Sequence, residues 1–275
     1  MVFGQTTART LLCLALPTLN NCVSFRKMAT SATSVGMPPI VTPEGKKALE
    51  LYLFVGGGSP NGHKAAILFE ELRNAYGKEF DYSLKTIESR KKEHFSAEFS
   101  KVNPNNKIPA LLHTLPSGHT ARIFESSAIL SYITTSFDPD HKLSFSTTSP
   151  HYGEQLSWLF WGPGNLTPTF MEAVHYNWLD VKVPHASERV GKEAARVIGV
   201  INQRLEEEGG REYLVGDGKG TFSVADISLF PLVRGMFAFG GLPQGDLKKW
   251  PHVAEWLGRI QSRPTVQAGL TTGQR

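Results

Sequence analysis

The spacing of hydrophobic residues changes near residue 150 and divides the chain into two parts. In the first part, short apolar runs rich in β-branched and aromatic residues alternate with segments of helical spacing. The helical segments are predicted to begin after Ser59 and at Glu125, with a short helix within 86–100. The apolar runs predict four strands, at 51–55, 80–84, 109–112 and 122–124. The resulting order, β-α-β-(α)-β-β-α, is typical of an α/β unit with mixed strand directions.

Beyond that boundary the strand signals fade. An apolar helix is interrupted by Gly162-Pro163-Gly164 and then resumes. Residues 186–207 place apolar side chains at spacings of three and four, and Ser223 with Asp226 forms a variant of the capping box. Residues 150–268 are therefore predicted to be all-helical.

The N-terminal segment differs from both parts. Residues 1–48 show no periodicity and are predicted to form a disordered or targeting leader. Within it, residues 1–43 contain basic residues, many Ser and Thr, and no acid, which is typical of a mitochondrial presequence. Met28 is followed by Ala-Thr-Ser-Ala, an ordinary cytosolic start. A start at Met28 predicts a cytoplasmic protein, whereas a start at Met1 allows a mitochondrial one.

Charge and cysteine content narrow the possible functions. The formal net charge is +4, and the basic residues of the leader (Arg9, Arg26 and Lys27) supply most of it. The nearly neutral remainder is unlike a nucleic-acid-binding protein. The cysteines are Cys13 and Cys22, which excludes a cysteine nucleophile, an iron–sulfur cluster and a cysteine-ligated zinc from the body. No metal-binding histidine spacing and no apolar run of ~20 residues is present, so neither a metal nor a membrane is expected.

A glycine-rich turn follows the first predicted strand. Ser59 and Pro60 fit the N-cap and first position of a helix, so Asn61 lies where free backbone N–H groups attract anions. A phosphate-binding loop is excluded because His63 replaces the required lysine. The dinucleotide fingerprint fails as well, because Asn61 stands where its third glycine belongs.

Two further turns carry candidate binding groups. Ile108-Pro109 begins an apolar strand and is a candidate cis bond, which would leave the Ile108 backbone groups free for a ligand. Glu125 and Ser126 begin a helix. A serine at this position is commonly a cap, whereas a carboxylate interacts favourably with the positive end of the helix dipole or binds a ligand ammonium.

These turns resemble those of glutathione transferases over residues ~50–268. The motifs that carry the resemblance are Ser59-Pro60-Asn61-Gly62-His63-Lys64, Asn103-Pro104-Asn105-Asn106-Lys107-Ile108-Pro109-Ala110, Phe124-Glu125-Ser126-Ser127-Ala128-Ile129-Leu130 and Ser223-Val224-Ala225-Asp226. The resemblance implies a thioredoxin-like glutathione-binding domain (βαβαββα) over 49–138 and an all-helical domain over 150–268. The first motif is similar to the nu class and to the fungal nitrogen-regulator-like branch. One departure is Gly56-Gly57-Gly58, which lengthens the turn before Ser59.

The resemblance also implies roles for individual residues. Ser59 and Asn61 would stabilise the glutathione thiolate, which explains sulfur chemistry without a protein cysteine in the body. The backbone of Ile108, before a cis Pro109, would pair with the cysteinyl residue. The remaining implied contacts are Glu125 to the γ-glutamyl ammonium, Ser126 to its carboxylate, Lys107 and His94 to the glycyl end, and Arg189 facing the site. Other classes of the family use a hydroxyl catalyst, and Tyr52 could be taken for one, but its phenol is expected to pack in the core. Asp226 is expected to be structural.

The implied activity is that of an enzyme with glutathione as co-substrate. It either conjugates glutathione to electrophiles, as in detoxification, or reduces disulfides with two glutathiones. Two alternatives remain: a transferase dedicated to one fungal secondary metabolite, with Trp158 and Trp161 shaping the acceptor pocket, and a regulatory binding protein without catalysis. The resemblance further implies a homodimer, with no nucleic-acid or membrane partner.

Overall fold

Four strands in the first part of the chain form one mixed sheet, in the order β2-β1-β3-β4. In the computed structural model, the residues described are 36–42, 44–56, 58–242 and 244–274. The leader predicted over residues 1–48 therefore lies largely outside the described residues. The strands are β1 Leu49–Phe54, β2 Ser83–Ile87, β3 Ala110–Thr114 and β4 Thr120–Phe124. β1 pairs in parallel with β2 and antiparallel with β3, and β3 pairs antiparallel with β4.

Three helices complete this part and confirm the predicted βαβαββα order. They are α1 Pro60–Tyr76, α2 Ala97–Val102 and α3 Ser126–Phe137. Side chains alternate along β1, so that Leu49, Leu51 and Leu53 enter the main core. The opposite face carries a smaller apolar cluster, centred on Phe99 of α2 and Ile108.

The second predicted strand is displaced from its predicted position. The segment 80–84 contains apolar Phe80 and Tyr82, but β2 begins at Ser83. Phe80 and Tyr82 both stack edge-on against Phe69 of α1, which buries their rings without strand pairing. β2 lies at the edge of the sheet and is largely exposed, so its alternation is too weak to reveal its position.

The second part is helical over the described residues, as predicted. Its helices are α4 Tyr152–Trp161, α5 Thr167–Trp178, α6 Pro184–Glu206, α7 Val224–Ala238, α8 Pro251–Gln261 and α9 Pro264–Thr271. Gly162–Leu166 is a π-helical segment that joins α4 to α5, so the expected interruption is a widened turn and not a break. A methyl group on Gly162 would lie 2.9 Å from Leu229, so glycine allows this turn to approach α7.

The last helix packs directly on the first. A methyl group on Gly269 of α9 would lie 2.6 Å from the Cα atom of Ile67, so the two backbones are in close contact. Arg263 donates two hydrogen bonds, of 2.7 and 2.9 Å, to the buried carboxylate of Glu71, which also accepts one from Thr265. No helix within the described ranges is long and apolar enough to cross a membrane.

Candidate functional site

The N-terminus of α1 begins where the glycine-rich turn ends. Ser59 is the N-cap, with extended backbone angles, and its Oγ atom accepts a hydrogen bond of 3.4 Å from the N–H of Gly62. Pro60 occupies the first helical position, as the sequence predicts. Ser59 therefore lies at the helix end that the sequence predicts. Because its oxygen accepts from Gly62, the Ser59 hydroxyl keeps its own proton for donation to another group.

Asn61 follows in the first turn of α1. Its Oδ1 atom is buried and accepts no hydrogen bond from any described residue. A methyl group on Gly62 would lie 3.2 Å from Ile108 and 3.3 Å from Leu53. The absence of a side chain at position 62 therefore brings the first turn of α1 against the loop that contains Ile108.

The Ile108-Pro109 peptide bond is cis, which confirms that prediction. The loop before it is held by Asn103, whose side chain donates a 2.7 Å hydrogen bond to the carbonyl of Lys107 and accepts one of 2.9 Å from the N–H of Asn105. The Lys107 side chain is exposed. Asn103 supports the backbone beside the candidate site, although the sequence indicates only a turn there.

The start of α3 lies beside the same loop. Glu125 precedes the helix with a positive φ of 70°, and its exposed carboxylate accepts a weak hydrogen bond of 3.5 Å from Asn105. Ser126 is the first residue of α3 and is buried. The first N–H groups of α3 have no acceptor within the helix, so this end provides donors for an anion.

Lys64 is a residue at this site to which sequence reasoning assigned no role. Its side chain is fully buried on α1, and its Nζ atom donates to the Ser126 Oγ atom at 3.5 Å. Burial lowers the pKa of Lys64 to about 7, against a smaller raising effect from Glu125. The signal that could have revealed it is a lysine within a run of apolar residues on the helix face that enters the core.

Two other predicted contacts have surroundings of their own. The His94 ring packs against Phe54, at the end of β1, and against Phe95, with centroid separations of 5.4 and 4.1 Å. Its Nδ1 atom is buried and has no hydrogen-bond partner among the residues described. Arg189 of α6 forms an exposed ion pair of 2.7 Å with Glu172 of α5. The structure therefore joins Ser59, the Ile108 loop and the start of α3, whereas Arg189 is engaged elsewhere.

The aromatic residues considered at the sequence level have packing partners of their own, and Tyr52 packs on the cluster that contains Ile108. Tyr52 is half-buried against Phe99, and its hydroxyl donates to Glu50 at 3.0 Å. Burial, reinforced by Glu50, raises the pKa of Tyr52 to about 12, which disfavours a role as a thiol-activating base. Trp158 and Trp161 contact each other edge to face at 5.5 Å and pack against the main core.

Comparisons with known proteins agree with this fold. The family model described as glutathione S-transferase, N-terminal domain, matches residues 49–135, and that of the C-terminal domain matches residues 184–259. The disulfide-bond oxidoreductase YfcG of Escherichia coli K12 is 34% identical over 219 residues, which cover 78% of this chain and 93% of that protein.

Solved structures give the same result. A glutathione transferase homologue from Lodderomyces elongisporus with two glutathiones per subunit has a TM-score of 0.70 and 26% identity, covering 82% of this chain and 98% of that one. The glutathione transferase URE2P8 from Phanerochaete chrysosporium with oxidised glutathione has a TM-score of 0.70 and 28% identity, covering 83% and 96%. The chain therefore belongs to the glutathione S-transferase family.

Proposed function

We propose that this protein reduces disulfide bonds with glutathione as the reductant, and that glutathione binds between the N-termini of α1 and α3. The main observation behind this proposal concerns Asn61, in the first turn of α1 next to Ser59 and the cis Pro109. Its Oδ1 atom is buried and has no hydrogen-bond partner among the described residues. Buried acceptors without a donor are rare in folded proteins, so this one favours a bound ligand with an N–H group, and the Nδ2 group of the same amide can then donate to the sulfur of that ligand. No cysteine occurs after residue 22, so the reacting sulfur would come from glutathione.

In this proposal the glutathione backbone extends along the loop before β3. The peptide groups of Ile108 pair with the cysteinyl residue, as in addition of a strand to a sheet. Glu125 receives the γ-glutamyl ammonium, and the N–H of Ser126 receives its carboxylate. Lys107 and His94 contact the glycyl carboxylate. The ion pair of Arg189 with Glu172 favours a structural role for that arginine over a direct contact.

Ser59 and Asn61 would stabilise the thiolate form of glutathione. Lowering the pKa of a thiol by ~2 units corresponds to about 2.7 kcal/mol of preference for the thiolate. A hydrogen bond to a charged group contributes about 1.5–3 kcal/mol, and a helix N-terminus adds about 0.3–1 kcal/mol. The Ser59 hydroxyl and the Asn61 amide at the start of α1 are therefore sufficient.

The reaction proceeds by two thiol–disulfide exchanges. One glutathione thiolate attacks a sulfur of the substrate disulfide. The S–S bond breaks, a mixed disulfide forms, and the released substrate sulfur takes up a proton. A second glutathione thiolate then attacks the glutathione sulfur of the mixed disulfide, which yields oxidised glutathione and the second substrate thiol. Two electrons and two protons have then passed from two glutathiones to the substrate.

Disulfide reduction is favoured over conjugation by the relatives. YfcG is named a disulfide-bond oxidoreductase, and one structural neighbour contains two glutathiones per subunit while another contains oxidised glutathione. Conjugation would use the same thiolate, so it remains the second candidate. A dedicated biosynthetic transferase has less support, because Trp158 and Trp161 pack on the core. We also infer a homodimer in the cytoplasm, which light scattering and cell fractionation would test.

The test measures the turnover of bis(2-hydroxyethyl) disulfide with glutathione by the full chain. We expect Asn61→Ala to lower turnover at least tenfold while calorimetry still detects glutathione binding, because the amide acts on the sulfur. The matched control is Asn74→Ala, an exposed asparagine on the same helix. Unchanged turnover in Asn61→Ala would contradict the assignment. Turnover only with 1-chloro-2,4-dinitrobenzene would replace reduction with conjugation, and no turnover with either would favour the regulatory alternative.

A further inference from the structure

Lys64 is a buried cation without an ion-pair partner among the described residues. Its side chain is 0% exposed, and its one described hydrogen bond goes to the Ser126 hydroxyl at 3.5 Å. A buried ammonium is costly unless an anion compensates it. Glu125 exerts a favourable but secondary influence, and its carboxylate is exposed to solvent. Among the described residues, the buried Lys64 amine therefore has a hydroxyl, and no carboxylate, as its hydrogen-bond partner.

The charged groups described on the neighbouring elements do not form an ion pair with Lys64. On the α9 side of α1, the buried Glu71 is already paired with Arg263. On α7, the Asp226 carboxylate accepts hydrogen bonds from Trp256 and from backbone N–H groups. At the sheet, the buried His113 is paired with a tyrosine hydroxyl of α3. Glu125 is the charged group that acts on Lys64.

The position of Lys64 indicates where a counter-ion would bind. Ser126 begins α3, and the backbone N–H groups there lack acceptors within the helix. Because the Ser126 oxygen accepts from Lys64, its hydroxyl proton is available to a ligand. A carboxylate at this helix end would therefore meet N–H groups, a hydroxyl and, directly behind the hydroxyl, an ammonium.

We propose that Lys64 is a positioning residue that acts through Ser126, and that the γ-glutamyl carboxylate of glutathione is the counter-ion of its buried ammonium. This inference rests on the proposed function, because it assumes that glutathione binds at the start of α3. It gives the site a charge requirement: the ligand must carry an anion at this end, and the anion is bound more tightly when Lys64 is protonated.

The charge requirement predicts a coupling between binding and pH. Since the pKa of Lys64 is lowered to about 7, this lysine is partly neutral in the free protein at neutral pH. A bound carboxylate favours the charged form and raises the pKa, so binding takes up a proton. Affinity should therefore fall as the pH rises above 7, and it should level off once the pKa of the complex is exceeded.

The first test compares the full chain with its Lys64→Met variant, using S-methylglutathione so that no thiol ionises. At pH 6.5 we expect Lys64→Met to bind at least tenfold more weakly in calorimetry. Its melting temperature should be unchanged or higher, because an apolar chain of similar length replaces an unpaired buried cation. Lys78→Met, at an exposed site just beyond α1, is the matched control and should bind like the wild type. Equal binding by Lys64→Met would overturn the inference.

A second ligand separates a charge effect from a loss of structure. The analogue with 4-aminobutanoyl in place of γ-glutamyl lacks the carboxylate, so Lys64→Met should weaken its binding by less than twofold. Equal weakening of both ligands would assign Lys64 a merely structural role. Calorimetry of the wild type in buffers of different ionisation enthalpy should show proton uptake near pH 7.5, and this requires no variant. If the wild type does not bind S-methylglutathione, the proposed function itself fails. If the wild type binds without proton uptake, only the role of Lys64 fails.

Discussion

Two helices of this protein begin with the same residue in the same role, yet their ends differ. α1 begins after Ser59 and α7 after Ser223, and each serine accepts a hydrogen bond from an N–H group of the first turn. Both starts are recognisable from the sequence. The difference lies in what satisfies the remaining polar groups at each helix end.

At α7, the protein itself supplies every partner. The Asp226 carboxylate accepts hydrogen bonds from the N–H of Ser223 at 3.1 Å, the N–H of Leu214 at 3.1 Å and the indole of Trp256 at 2.9 Å. Ser223 and Asp226 are both fully enclosed. The N–H of Val224 donates to the carbonyl of Leu143 and that of Ala225 to the Ser223 hydroxyl, so protein groups satisfy this helix end and the motif is structural.

At α1, the protein leaves partners missing. The first turn carries no acidic residue, Ser59 is half-buried, and the Asn61 Oδ1 atom has no donor among the described residues. The contrast teaches that a capping motif alone does not distinguish structure from function. The distinction depends on whether the surrounding chain saturates the helix end or leaves it open.

The largest expected effect is the loss of the saturated cap. Asp226→Ala should lower the free energy of unfolding by about 3–5 kcal/mol, because it leaves buried donors of Ser223, Leu214 and Trp256 without an acceptor. Urea denaturation measures this change. Asp180→Ala, at an exposed aspartate, should change stability by less than about 0.5 kcal/mol. A loss below about 1 kcal/mol in Asp226→Ala would show that the α7 cap is not the structural element inferred.

A second effect concerns pH. Burial raises the pKa of Asp226 to about 6, although its hydrogen bonds oppose this. The folded state therefore binds a proton more tightly than the unfolded state. This group's contribution to stability is present in full below about pH 4 and is lost as the pH rises to 6, by up to about 3 kcal/mol. Between pH 4.5 and pH 7, the free energy of unfolding of the wild type should fall relative to that of Asp226→Asn. A pH-independent difference would contradict the raised pKa.

The smallest effect on stability separates the two serines directly. Ser223→Ala should cost about 2 kcal/mol and Ser59→Ala about 0.5 kcal/mol, because the first hydroxyl is enclosed and the second is half-exposed. The order should reverse for disulfide turnover, which only Ser59→Ala is expected to lower. Thermal unfolding and turnover, measured on the same two proteins, would check both orders. Equal loss of turnover in the two variants would remove the functional distinction between the helix ends.

Local signals predicted much of the fold. The caps at Ser59 and Ser223 and the order of strands and helices were predicted because each depends on residues close together in the chain, whereas the cis bond before Pro109 was predicted with the help of the family resemblance. The exact start of β2 was not, since Phe80 and Tyr82 are apolar for packing against α1 and not for pairing in the sheet. The support of the site loop by Asn103 was also missed, because a turn residue and a loop brace have the same sequence pattern.

By itself, the sequence determined the two-part architecture, the absence of a cysteine from the body and the helix ends at which ligand groups are expected. Hydrophobic periodicity and capping residues act over a few positions, so they can be recognised without the fold. Only the tertiary structure decided which helix end stays open and that Lys64 meets Ser126 across 62 residues of chain. Burial and pairing depend on what packs against a residue from distant segments. The same lysine would be an ordinary surface charge on an isolated helix, and here it is a buried cation beside the proposed carboxylate site.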